Sequence, residues 1–271
     1  MSDIVDAEGL YADIPDHVYH SDKNSLSSSG ARALLASPAR YRYRLDHPPE
    51  PKDHFDFGHA AHSLILGVGA ELVRIDADEW RTKAIKDVVA AVRAEGKVPL
   101  KPADYDTVHA MADQLCTHPI AAMLFRDGQA ELSGFWRDDH TGMWLRVRPD
   151  WLPTQGSGRQ IIVDYKTTTS ADPKHFAKAA YDYGYHQQAP WYIDGLTALG
   201  LGDDPAFVFV AQEKTAPYLV SVIELDDDAV ALGRQRNREA IDLYAHCQAT
   251  DTWPDYGQDV HRVSLPAYAF K

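Results

Sequence analysis

The chain has 271 residues, 45% hydrophobic and 25% charged, with a net charge of −13: an ordinary globular composition, long enough to bury a substantial core. That balance excludes indiscriminate nucleic-acid binding, which needs a broad basic surface, but leaves room for a narrow basic groove. Cys116 and Cys247, the only cysteines, exclude a four-cysteine zinc or iron–sulfur site.

No apolar run is long enough to span a bilayer. The opening Met1-Ser2-Asp3-Ile4-Val5-Asp6 lacks the apolar region of a secretory signal, so the cytoplasm is the expected compartment. Residues 1–24 read as an irregular arm with turn signals at Ile14-Pro15-Asp16 and Ser21-Asp22-Lys23-Asn24. Ser27 to Ser29 can cap a helix through Ala31 to Ala36 that stops near Ser37-Pro38. His47-Pro48-Pro49-Glu50-Pro51 reads as a rigid loop, followed by a helix from Phe55 to Leu66. Helical patterns at about 79–95 and 103–126 are parted by Gly96-Lys97-Val98-Pro99.

Three strands are then expected, Ala130 to Trp136, Met143 to Asp150 and Gln160 to Lys166, with a hairpin turn at Asp138–Gly142 between the first two. Helices follow from Pro173 to Asp182 and from about His186 to Leu199. Strands at Ala206–Val210 and Tyr218–Leu225 precede a long helix from about Asp227 to Ala249. This order predicts an α/β fold: a mixed central β-sheet flanked by helices, with an N-terminal helical region. No linker splits the chain, so one domain is expected: an arm (1–24), a mainly helical part (25–126), a core (127–250) and a tail (251–271).

The most informative segment is Arg148-Pro149-Asp150, followed after thirteen residues by Asp164-Tyr165-Lys166-Thr167-Thr168. Gln160-Ile161-Ile162-Val163 is a buried-strand pattern that delivers Asp164 at its end. Side chains alternate along a strand, so Asp164 and Lys166 share a face while Tyr165 points inward, leaving its carbonyl available to a metal. Two carboxylates suit a hard divalent cation, and an adjacent ammonium can position water or offset charge on a phosphorane-like transition state.

Three further elements bear on this site. Gly58-x-x-x-His62 puts a glycine one helical turn before an imidazole, either a structural histidine or a metal ligand. Glu131 opens the strand before Asp150, and its carboxylate could reach the same edge or remain solvated. Gln188 and Tyr192 stand four apart on one helix face and could contact a phosphate or fix the lysine. Arg32, Arg40, Arg42 and Arg44 cluster within thirteen positions, either a binding wall or a solvated helix face.

In this order and spacing the motifs resemble the RecB-type branch of the PD-(D/E)xK nuclease superfamily: G-x-x-x-H, an early glutamate, an aspartate, Val-Asp-Tyr-Lys-Thr and Q-x-x-x-Y. Gly9–Pro15 with Tyr19-His20, Leu26–Ser29 leading to Ala36–Ala39, Arg148–Trp151, Gln212–Lys214 with Pro217-Tyr218, and Trp253–Gly257 are similar to the exonuclease VIII (RecE) type of nuclease domain. The likeness covers roughly residues 9–257.

It implies His62, Asp150, Asp164 and the Tyr165 carbonyl as metal ligands, and Lys166 as the catalytic lysine supported by Gln188 and Tyr192. Glu131 is implied as part of the catalytic set, binding metal directly or acting from behind a ligand. The implied activity is a Mg2+-dependent (Mn2+ substituting), processive 5′→3′ exonuclease on double-stranded DNA ends. It would need neither ATP nor an iron–sulfur cluster, and would leave 3′ overhangs for a single-strand annealing recombination protein. The resemblance further implies a homo-oligomeric ring. Arg32, Arg40, Arg42 and Arg44, with Lys174 and Lys178, are the expected DNA-channel residues. A single-strand exonuclease or endonuclease of the same superfamily, or a non-catalytic DNA-end-binding module, are the alternatives.

Overall fold

A computed structural model describes residues 4–48, 57–154 and 158–270 of the chain. Within the expected irregular arm, among the described residues, Gly9–Tyr11 form strand β1 and Asp16–Ser21 form helix α1. A three-residue strand carries too little alternation to announce itself; β1 exists because β6 offers it an antiparallel edge. β2 (Ser25–Ser27) runs into α2 (Ser28–Ala36), where the Ser27 hydroxyl accepts a hydrogen bond from the Gly30 amide. Ser37 repeats the cap for α3 (Pro38–Asp46), with Pro38 where a missing N–H costs nothing, so the expected helix stop is also a start.

The expected loop at His47–Pro51 falls partly outside the described residues, as do the first residues of the expected Phe55–Leu66 helix, described as α4 (Phe57–Leu66). β3 (Leu72–Arg74), α5 (Lys83–Ala94) and β4 (Val98–Leu100) make a small parallel β-α-β unit. The single helix expected over 103–126 is two, α6 (Pro102–Thr117) and α7 (Pro119–Leu124). Pro119 cannot donate to the helical ladder, and the His118 imidazole caps the new helix by accepting from the Ala121 amide.

β5 (Gly128–Ala130), β6 (Ser133–Arg137), β7 (Trp144–Val147), β8 (Trp151–Pro153) and β9 (Ile161–Thr168) follow. Then come α8 (Pro173–Asp182), α9 (Tyr185–Ala198), β10 (Ala206–Glu213), β11 (Val220–Ile223) and α10 (Asp227–Thr250). The α/β architecture of mixed sheets flanked by helices is as expected, with the strands divided between more than one sheet. One mixed sheet has the order β1-β6-β7-β2 and a second β11-β10-β9-β8-β5. The expected Ala130–Trp136 strand is therefore two strands in different sheets, broken where Glu131 takes φ 50°, a left-handed conformation no strand accommodates. The expected Met143–Asp150 strand also ends early, at Val147, and Arg148-Pro149-Asp150 carries the chain from the first sheet to the second.

β9 lies inside the five-stranded sheet, parallel to β10 over eight residues. Its two faces serve two cores. Ile162 packs with Phe207, Phe209, Ala211 and residues of α2, α9 and α10. Val163 and Tyr165 pack with Ala60, Ala61, Val108 and Met111 of α4 and α6. This alternation sets the side to which each residue of Asp164-Tyr165-Lys166 turns. No helix among the described residues is long and apolar enough to cross a membrane.

Candidate active site

The alternation places Asp164 and Lys166 on the α9 face of β9, and Asp164 is buried rather than beside solvent at a strand end, with 1% exposure. Lys166 Nζ stands 2.5 Å from Asp164 Oδ2, and Gln188 Nε2 donates to Asp164 Oδ1 at 2.6 Å. Oδ2 has this cation but no well-directed hydrogen-bond donor. From the other side, His62 Nε2 of α4 lies 3.1 Å from Asp150 Oδ2, which also accepts from the Tyr165 amide at 2.8 Å. The Tyr165 ring turns away, as expected, and its hydroxyl donates to Gln212 Oε1 at 2.7 Å in the second core.

Glu131 and Asp150 occupy the two connections that cross between the sheets, and the Glu131 amide donates to the Asp150 carbonyl at 3.1 Å. Their proximity thus comes from a crossing of backbones, not from neighbouring strand ends. One cleft of about 480 Å³ is lined by His62, Glu131, Asp150, Asp164, Lys166, Gln188 and Tyr192.

The electrostatics separate the two aspartates. Burial, and then the charge of Asp150, push Asp164 up to about 6, against the pull of Lys166 and Gln188. Burial also opposes ionisation of Asp150, but the hydrogen bond and charge of His62, with Lys166 and the Tyr165 amide, outweigh it and hold the carboxyl low. The same pairing lifts His62 above its ordinary range although burial disfavours its cation. Lys166 stays protonated because Asp164 and Asp150 overcome its desolvation.

Of the candidate channel residues, only Arg32 lines the cleft, where its Nη1 donates to the Gly184 carbonyl at 3.0 Å. Arg40 and Arg42 lie over the rings of Tyr256 and Trp253 in the tail, and Arg42 also pairs with Asp46. Lys178 pairs with Asp182, while Arg44 and Lys174 are exposed away from the cleft lining.

The cleft's other cations escaped the sequence reading as site residues. Arg146 Nη1 donates to the Asp22 and Ser25 carbonyls, and Arg148 donates to the Ser133 hydroxyl and the Ile14 carbonyl. The Tyr19 ring lies 5.2 and 3.9 Å from the two guanidinium carbons. The alternation of Trp144–Val147 puts Arg146 on a buried position, a signal that a buried cation stands there; its partners lie over 120 residues away and have no local signature.

The donor set fits a hard divalent cation: the buried Asp164 carboxylate, the half-buried Asp150 carboxylate, an imidazole, and a carboxylate oxygen lacking a directed donor. Among the described residues no three acidic, histidine or cysteine groups close into a ligand cage. A bound ion of this class keeps waters and takes phosphate oxygens, so one or two carboxylates suffice to hold it.

A buried strand bearing Asp-x-Lys, with a second aspartate brought beside it by an inter-sheet crossing, defines the PDDEXK-like nuclease class. The chain belongs to the family described as PDDEXK-like domain of unknown function (DUF3799), whose model matches residues 27–264. Its fold is shared with a candidate exonuclease from Eubacterium rectale, 12% identical, covering 96% of this chain and 98% of that one at a TM-score of 0.60. An alkaline exonuclease from Laribacter hongkongensis is 14% identical over 70% of this chain and 90% of its own, at a TM-score of 0.27, a superposition too loose to support an argument. No curated protein matches the chain in sequence.

Proposed function

We propose that this protein is a Mg2+-dependent deoxyribonuclease that degrades duplex DNA from its ends. The observation that carries the reading is the Asp164–Lys166 pair, 2.5 Å apart in a cleft that also holds Asp150, His62 and Gln188. Asp150 and Asp164, with His62 and the Tyr165 carbonyl, would hold the metal, which when bound activates water and neutralises charge on the scissile phosphate. Lys166 holds its proton and can donate hydrogen bonds to a nucleophilic water or to a phosphate oxygen as charge develops there. Gln188 holds the Asp164 carboxylate in orientation, and Tyr192 lines the wall above it, its hydroxyl kept protonated by burial. Glu131 supplies a further carboxylate at the cleft edge.

The 5′→3′ polarity, the ring assembly and a single-strand annealing partner rest on the resemblance to the exonuclease VIII type. The deciding assay is digestion of end-labelled linear duplexes and of covalently closed circles with Mg2+ or Mn2+ and with chelator. Loss of the linear DNA alone, and only with metal, supports the reading. Cleavage of circles makes the protein an endonuclease, and no cleavage of either leaves it a DNA-end-binding module.

A further inference from the structure

The junction of α8 and α9 carries three tyrosines, Tyr181, Tyr183 and Tyr185, of which Tyr181 stacks on His186 and Tyr185 approaches Lys166 of β9. Tyr185 is half-buried; its ring lies 5.3 Å from Lys166 Nζ, stacks on Phe176 at 5.6 Å and meets Phe209 at 5.4 Å. Tyr183 continues the series outward, 5.8 Å from Tyr185 with an interplanar angle of 36°, and is 66% exposed. A run of rings therefore leads from the core, past the lysine, into solvent.

The turn is fixed from behind. Gly184 has φ 71°, and a Cβ added there would lie 2.4 Å from Arg32 Cδ, while its carbonyl accepts from the Arg32 guanidinium. Arg32 itself lines the cleft, so one residue that faces the substrate space also sets the position of Tyr183. Single exposed tyrosines are common on protein surfaces. Tyr183 differs in being joined ring by ring to the residue beside Lys166 and held by a cleft arginine.

We propose that Tyr183 is a stacking platform for a nucleobase of the strand being cut, a positioning residue a few nucleotides from the scissile phosphate; this rests on the nuclease reading above. Steps of 5.3 and 5.8 Å place its ring within roughly three stacked nucleotides of Lys166 Nζ, at roughly 3.4 Å of rise each. The cations Arg32 and Lys166 receive the backbone, and the ring receives the flat face that every base presents, so the contact needs no particular sequence. A base can reach the ring only after leaving its pair, which makes the platform a holder of frayed ends.

Duplexes carrying 2-aminopurine at each of the three terminal positions of either strand test this in chelator, where binding is read without cleavage. Wild type should shift the probe's fluorescence at one position, and Tyr183→Phe should reproduce that shift. Tyr183→Ala should abolish it and weaken Kd roughly 5- to 150-fold, the span measured for loss of one base–aromatic stack. Tyr181→Ala, on the same turn, should behave as wild type, which a merely structural effect on the turn would not allow. With metal, the Tyr183→Ala loss should fall on KM and be restored by Tyr183→Phe. Equal fluorescence and Kd for wild type and Tyr183→Ala overturn the platform while digestion by wild type leaves the nuclease reading standing. End binding that depends on Tyr183 without cleavage under any metal does the reverse.

Discussion

At the scale of single residues, the site sets the buried Asp164 against the half-buried Asp150 and balances them with a lysine and a histidine. Lys166→Ala should lower kcat at least about 10²-fold, the order found when a preorganised charge-stabilising donor is removed. A retained rate above about a tenth, less than ~1.4 kcal/mol of barrier, would remove Lys166 from the chemistry. The carboxyl of Asp164, ordinarily near 3.8 and here pushed up to about 6, binds a proton more readily in the folded chain than in the unfolded one. Its contribution therefore favours folding in acid, is complete below the unfolded value, and is lost as pH rises through about 6. Metal-free wild type should thus gain stability relative to Asp164→Asn between pH 7 and pH 5, by about 1 kcal/mol per pH unit at most. Asp150, held low, acts in the opposite sense only in stronger acid. Chemical denaturation of the two proteins across that range measures the difference, and parallel curves would show that Asp164 ionises normally.

At the scale of elements, α9 holds Gln188 over Asp164 only because α10 lets it approach. A Cβ on Gly233 would lie 1.7 Å from the His186 carbonyl oxygen, so no side chain fits between these helices. Gly233→Ala should cost about 1–3 kcal/mol, or several degrees in Tm, and should reduce digestion as well, because displacing α9 moves Gln188. An unchanged Tm would mean that the helices separate without loss.

Elements with strong local patterns were legible in the sequence. The run Ile161–Val163 announced β9, and Pro173 announced α8 at its observed start. With two-residue alternation, β9 alone was enough to put Asp164 and Lys166 on one face and Tyr165 on the other. What the sequence hid was non-local. Glu131 looks like any strand residue until the two sheets impose a left-handed break on it, and the crossing that joins it to Asp150 has no local signal. Arg40 and Arg42 look like a binding cluster because nothing nearby in sequence shows that the rings of Tyr256 and Trp253 return beside them.

At the scale of the whole molecule, a net charge of −13 surrounds a cleft whose lining includes Arg32, Arg146, Arg148 and Lys166. An acidic exterior would repel a DNA backbone, while the cleft offers it four cations set beside the carboxylates Asp16, Glu131, Asp150 and Asp164, so binding should be confined and salt-sensitive. Arg32→Gln should flatten the log–log dependence of DNA affinity on salt by about 0.9, the loss of one duplex phosphate contact. Arg42→Gln, whose guanidinium is engaged by Asp46 and Trp253, should leave the slope unchanged. Titrations at several salt concentrations decide it, and equal slopes for all three proteins would place the phosphate path elsewhere.

The inter-sheet crossing has a consequence for the chain during its own synthesis. His62 must meet Asp150, and Asp164 must meet Gln188, before the site exists, and the crossing that aligns Glu131 with Asp150 joins two separate sheets. Such distant pairings form late, because loop closure has to precede the contacts that reward it. A half-made or partly unfolded copy therefore keeps His62 and Asp150 away from the Asp164–Lys166 pair and lacks the assembled site. On the proposed nuclease reading, activity would arise only with the last contacts, and a digestion assay would report that folding is complete.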